Sequence, residues 1–170
     1  MRHLQYLSLP AIVNRKSLFV GLAIAGSLLT IPAGKSEVLY ELKTTCTKQE
    51  GQAQSCTIQA INEASVTLYR HRFRDGIETI RITDEPVKMS RWDTFNKEWV
   101  PLKRASARFS TNTVCFNGTD LCAINPNYLN SLREDRPERT AGRDLVNVIF
   151  GSDGRIVASC YDSGCQESFQ

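Results

Sequence analysis

Beyond residue 36 the apolar positions recur every second residue, the alternation of strands that bury one face. Val38, Tyr40, Leu42, Thr44 and Cys46 share one face of a first strand, and a polar stretch around Gly51 turns the chain back through Cys56, Ile58 and Ala60. With Gly51 at the centre, Cys46 stands opposite Cys56, Thr44 opposite Ile58 and Leu42 opposite Ala60. Asp75-Gly76 between two alternating runs predicts a two-residue hairpin turn, since both positions of that turn need φ above zero. Pairing Arg74 with Ile77 sets Phe73 against Glu78, His71 against Ile80, Arg70 against Arg81 and Tyr69 against Ile82. Tyr69, His71, Phe73, Ile80 and Ile82 then face the core, and Arg70, Arg72, Arg74 and Arg81 face away from it.

Further strands are predicted over residues 87–92 and 100–110, with Pro101 marking a sheet edge or a kink. Residues 113–123 read as a tight hairpin about Asn117-Gly118. Residues 145–150 and 155–161 read as another, with Cys165 folding back on Cys160. Asn125-Pro126 caps and starts a short helix through Tyr128, Leu129 and Leu132, ending by Glu134. Residues 133–143, charged and broken by Pro137 and Gly142, read as an exposed loop. About nine short strands without a βαβ rhythm predict a mainly β chain, a small antiparallel β-barrel or β-sandwich with one short helix.

The first 36 residues follow a different pattern. Arg2, Arg15 and Lys16 precede a charge-free apolar run over residues 18–31, then the small-residue stretch Pro32-Ala33-Gly34-Lys35-Ser36. That is the layout of a secretory signal peptide, and the run is shorter than the roughly 20 residues of a helical membrane span. Cleavage after Ser36 leaves a single domain, residues 37–170, which meets the membrane only through its leader before cleavage. Cleavage after Ala33 and an uncleaved anchor are the alternatives. Cys46, Cys56, Cys115, Cys122, Cys160 and Cys165 all lie in the mature part. An even count in an exported chain reads as three disulfides, and the spacing suggests local clasps 46–56, 115–122 and 160–165. The expected location is secreted or periplasmic. Zinc would need closer cysteine pairs, so neither a metal nor another cofactor is expected.

The chain has 21 Lys+Arg against 18 Asp+Glu, but four of the basic residues sit in the leader, leaving 17 against 18. A balanced mature charge argues against nucleic acid as a partner. Chemistry is equally sparse. His71 is the only histidine after the leader, and its place mid-strand among apolar neighbours reads as a satisfied core residue. No Gly-x-Ser-x-Gly turn, phosphate-cradling loop or metal-spaced His pair occurs, and oxidised cysteines supply no thiolate. No catalytic residue is therefore assigned.

The positive signal is the arginine face. Like charges directly opposite one another cost stability, so water, an acidic partner such as Glu134, Asp135 or Glu138, or an anionic ligand should offset them. Guanidinium forks grip carboxylate and phosphate bidentately. Trp92, Phe95 and Trp99 bracket a turn, where they form an exposed contact or close the end of the barrel core; the second is the expected role. Asn117-Gly118-Thr119 matches a glycosylation sequon but reads as a turn.

One short segment carries a resemblance. Ala105-Ser106-Ala107-Arg108-Phe109 is similar to the inhibitory Ser-Ala-Ser-Gly-Ala-Arg-Tyr loop of the periplasmic lysozyme inhibitors, which are small disulfide-bearing β-barrels. The match spans five residues, lacks the glycine and ends in Phe where the family has Tyr. It implies that Ser106 and Arg108 would enter a target enzyme's cleft. Together these readings favour an exported, non-catalytic binding or structural module of the cell envelope, with an anionic or protein ligand at the arginine face. A protein inhibitor is the second reading and a small hydrolase the third.

Overall fold

The alternating runs become strands because each can bury one row of side chains and leave the other in water. In the computed structural model, which describes residues 36–162 and 164–167, they form one antiparallel sheet. Its strands are β1 (Glu37–Lys48), β2 (Gln54–Glu63), β3 (Val66–Phe73), β4 (Gly76–Asp84), β5 (Val87–Asp93), β6 (Glu98–Pro101), β7 (Arg104–Arg108), β8 (Thr113–Phe116), β9 (Leu121–Ile124), β10 (Leu145–Phe150), β11 (Ile156–Tyr161) and β12 (Gly164–Glu167). Helices α1 (Pro126–Asp135) and α2 (Pro137–Thr140) lie between β9 and β10. The predicted leader, apart from Ser36, lies outside the described residues.

The spatial order is β12-β11-β10-β7-β8-β9-β1-β2-β3-β4-β5-β6. The sheet is therefore a series of hairpins with two nonlocal joins, β10 on β7 and β1 on β9. The second join is short: only Cys46, Thr47 and Lys48 pair with Ala123, Cys122 and Leu121. The sheet curls until its distant parts meet. Lys88 of β5 bridges to Arg155, just before β11, across the curl. The Leu102 amide on the Met89 carbonyl at 3.0 Å and the Phe150 amide on the Lys103 carbonyl at 2.9 Å extend the β5–β6 and β7–β10 ladders toward that junction. One core consequently gathers Ile58, Ile80, Met89, Leu102, Phe116 and Leu121 from around the curl. The fold is barrel-like and made of one sheet, not a sandwich of two.

Faces were predicted better than pairings. In the first hairpin Thr44 lies opposite Cys56 and Leu42 opposite Ile58, and a bulge between Val38 and Tyr40 puts Val38 out in solvent. In the second, Phe73 pairs with Gly76, His71 with Glu78 and Tyr69 with Ile80, so the turn is Arg74-Asp75. Positive φ falls on Gly76 alone, at +155°, which removes the expected two-position requirement. Both corrections move the register by two residues and, apart from Val38 beyond the bulge, leave the faces unchanged. Alternation reports the face and is blind to a two-residue slide.

The Cys46–Cys56 and Cys115–Cys122 disulfides are present. The third predicted clasp ends on the side chain of Cys165, which lies outside what is described, although Cys160 and Cys165 are backbone partners across β11 and β12. The helix starts as predicted: Pro126 opens α1, and the Asn125 side chain accepts from the Tyr128 amide at 3.1 Å. The predicted loop over residues 133–143 is largely helical instead. Pro137 starts α2, and the Arg136 carbonyl accepts from the Thr140 hydroxyl at 3.0 Å. A proline at the first helical position starts a helix as readily as it stops one. Asn117, at φ 50°, and Gly118, at φ 82°, form the expected turn. The Asn117 side chain accepts from the Lys103 amide at 2.8 Å, so the sequon is used structurally.

Candidate functional site

The concave face of the curled sheet is only partly filled. Helix α1 closes part of it: Leu129, fully buried, packs with Ala107, Phe109 and Val146, while Tyr128 and Leu132 lie alongside. Asn125, 1% exposed, fixes the start of that helix and also exchanges hydrogen bonds with the Tyr40 hydroxyl at 3.0–3.2 Å. Beside the helix a cleft of about 1050 Å³ remains. Its wall is apolar and drawn from Ile82, Met89, Ala105, Val114, Val148 and Phe150. Register explains the continuity of that wall: Ala105 faces Val148 and Phe116, and Ala107 faces Val146 and Val114, so two rows of apolar side chains cross three strands.

The cleft has a polar lip. Tyr69 and Tyr128 meet edge to face within it. Five charged residues line it, Glu85 from the β4–β5 turn and Asp135, Arg136, Glu138 and Arg139 from the passage of α1 into α2, and all five are exposed. Among the described residues no ion pair involves any of them. Sequence reasoning missed this site because its wall is made of ordinary core-type residues from five strands. The one available signal was Ala105 and Ala107, small side chains at positions where alternation demands burial.

The arginine face is compensated within the chain. Arg70 and Arg81 are not cross-strand neighbours; Arg70 faces Thr79 and Arg81 faces Leu68. Arg70 lies 3.8 Å from Glu63, and Arg72 donates to Gln59, which itself donates to Glu41. Arg81 donates to Ser90 at 3.2 Å and stacks 4.4 Å from the Trp99 ring. Arg74 is exposed at the turn. The offsetting acids are thus Glu63 and Glu41, not Glu134, Asp135 or Glu138. Trp92 and Trp99 meet edge to face, ring centroids 5.2 Å apart, beside Arg81. They stand outside the core cluster, and Phe95 at the turn is 90% exposed, so the aromatics do not close the barrel end.

His71 is buried as expected but is not fully satisfied, because its Nδ1 has no hydrogen-bond partner. Burial lowers its pKa to about 4, against the smaller opposing effect of backbone hydrogen bonding at Glu78 and Tyr69. It faces Phe116 and does not line the cleft. Ser106 and Arg108 sit in β7, paired on one side with Cys115 and Thr113 and on the other with Asn147 and Leu145. The Arg108 guanidinium donates to Asp144 at 3.1 Å. Hydrogen bonds from Ser110, with Arg108 adding less, hold the Asp144 carboxyl below its usual range. These two residues belong to an internal strand and form no protruding loop.

Among the described residues no cluster of three or more His, Cys, Asp or Glu is placed to hold a metal ion, and no helix is long and apolar enough to cross a membrane. The disulfides point to an oxidising compartment, extracellular or periplasmic. No family model, curated protein or solved structure matches the chain.

Proposed function

We propose that the chain is an exported, non-catalytic binding module that holds an apolar or amphiphilic compound in the cleft of its curled sheet. The observation that carries this reading is the apolar wall facing about 1050 Å³ of open space under a charged lip. Apolar surface left in water costs about 25 cal/mol per Å², and ligand sites are typically concave, mostly apolar spaces of about 300–1,000 Å³ with a few polar groups. Export is supported by the leader pattern and the disulfides.

The competing readings have less behind them. An anion at the arginine face would have to displace bonds that Arg70, Arg72 and Arg81 already make within the chain. An inhibitor acting through Ser106 and Arg108 would have to work from a strand paired on both sides instead of a protruding loop, and to give up the Arg108–Asp144 ion pair. A hydrolase built on His71 would need substrate to reach a residue 1% exposed.

The test is titration with N-phenyl-1-naphthylamine, an uncharged apolar dye that fluoresces when dehydrated. Saturable binding by the folded protein is expected, abolished by Val148→Trp and by Ser159→Trp, each of which fills the cleft from a half-buried position. Absence of saturable binding, or full binding by both variants with unchanged melting temperature, would remove the proposal.

A further inference from the structure

Resting on that reading, we infer that the cleft takes a single-chain amphiphile with a zwitterionic head, a phosphate joined to an ammonium group, with the chain along the apolar wall and the head at the lip between Glu85 and the α1–α2 junction. The argument begins with four arginines spaced along residues 133–143. Two of them stack on aromatic rings: Arg133 lies 4.5 Å from the Phe109 ring and Arg143 lies 3.8 Å from the Tyr161 ring. The other two, Arg136 and Arg139, line the cleft with neither a ring nor an ion pair among the described residues.

Their backbone is well fixed. The Arg136 amide donates to the Leu132 carbonyl at 3.1 Å, and the Arg136 carbonyl accepts from the amides of Arg139 and Thr140 at 3.0 and 3.2 Å. Arg136 is the extended residue between the two helices and Arg139 lies in α2, and because both line the cleft, two guanidinium forks are presented to it. Paired forks suit the oxygens of a phosphate.

The same lip carries the carboxylates of Glu85, Asp135 and Glu138, equally exposed and unpaired among the described residues. A purely anionic head would meet three like charges there and a purely cationic one two, and such unmatched charge is how a site rejects the wrong ligand. A head bearing both signs satisfies both sets. The tyrosines at the lip add aromatic bodies with polar tips, a side-chain chemistry suited to the boundary between chain and head. The cleft volume, at the top of the usual range for small-molecule sites, has room for an alkyl chain beyond the head.

The experiment uses the full chain expressed with its own leader and recovered oxidised. Calorimetric titration compares four probes below their micelle concentrations: palmitoyl-lysophosphatidylethanolamine, monopalmitoylglycerol, palmitate and free phosphoethanolamine. The zwitterionic lysolipid should bind about tenfold or more tighter than the neutral or anionic compounds of the same chain, and phosphoethanolamine alone should not saturate. The double variant Arg136→Gln, Arg139→Gln should lose about that factor for the lysolipid and none for monopalmitoylglycerol. Equal affinity across heads, tighter binding of palmitate, or an unaffected double variant would overturn the head assignment while leaving the cleft as a binding site. Failure of every chain-bearing probe would overturn the cleft reading as well. An unchanged melting temperature of the double variant keeps the comparison on binding.

Discussion

Tyr69 of β3 and Tyr128 of α1 meet edge to face, their ring centroids 5.4 Å apart and their planes at 90°. This contact ties the helix to the far half of the curled sheet, whereas its neighbour Leu129 ties it to β7 and β10. The two residues should therefore separate binding from stability. Leu129→Ala, at a site with no exposed surface, is expected to cost about 2–5 kcal/mol in urea unfolding. Tyr128→Ala is expected to cost less, roughly 1–3 kcal/mol, and to weaken dye binding more. Equal effects of both on stability, with dye binding intact in Tyr128→Ala, would separate the helix from the site.

Asn125 does two jobs with one side chain, capping α1 and bonding Tyr40. Asn125→Ala should lose a cap and leave the Tyr40 hydroxyl without this partner, for a total of about 2–4 kcal/mol. Asn125→Asp keeps the cap acceptor and should recover part of that loss. Denaturant midpoints at constant slope measure both.

The buried imidazole of His71 predicts a pH dependence with a definite sign. Its folded pKa is about 4 and its ordinary value 6.5, so in that interval the unfolded chain takes up a proton that the folded chain refuses. Stability is full above 6.5, falls as the pH drops toward 4, and loses roughly 3 kcal/mol across the window. Asp75, held low chiefly by Lys48, and Asp93, held low chiefly by Asn96, lose their contributions only at lower pH still. His71→Leu should flatten the upper window and leave the lower one. A slope above pH 4 that survives the substitution would assign the effect elsewhere.

The internal compensation of the arginine face makes a negative prediction. Arg70→Gln and Arg72→Gln should each change stability by less than about 1 kcal/mol. Charge reversal of Arg72 together with Arg81 should leave retention on a phosphate-bearing resin nearly unchanged. Arg81→Gln should cost about 0.5–1 kcal/mol through its lost stacking on Trp99. Retention that collapses on charge reversal would restore the surface as an anion site.

What could be read from the residues follows the physics of strands. Burial of His71, Phe73, Ile80 and Ile82 on one side was legible, because side chains alternate strictly along a strand. The pairing of Arg70 with Thr79 instead of Arg81 was not, because a slide of two residues preserves that alternation. The Cys115–Cys122 hairpin and the Asn125 cap were legible from local chemistry alone. The cleft was not: Ala105, Val114 and Val148 look like any core positions, and only the curl of the whole sheet decides that the space in front of them stays open. The helix at Pro137 was hidden by a residue whose meaning depends on which side of it the helix lies.

The short seam between β1 and β9 has a consequence for the order of assembly. Strands β2 to β6 can pair with neighbours a few residues away, but Cys46 must wait for Ala123. Contacts so distant along the chain close late, after the loop entropy between them has been overcome. A chain emerging N-terminus first would hold Cys46, Thr47 and Lys48 of β1 without their second partner strand until residues 121–123 arrive, an open edge able to pair with another molecule. Refolding yield should therefore fall with protein concentration far more steeply than the native fold's own stability suggests.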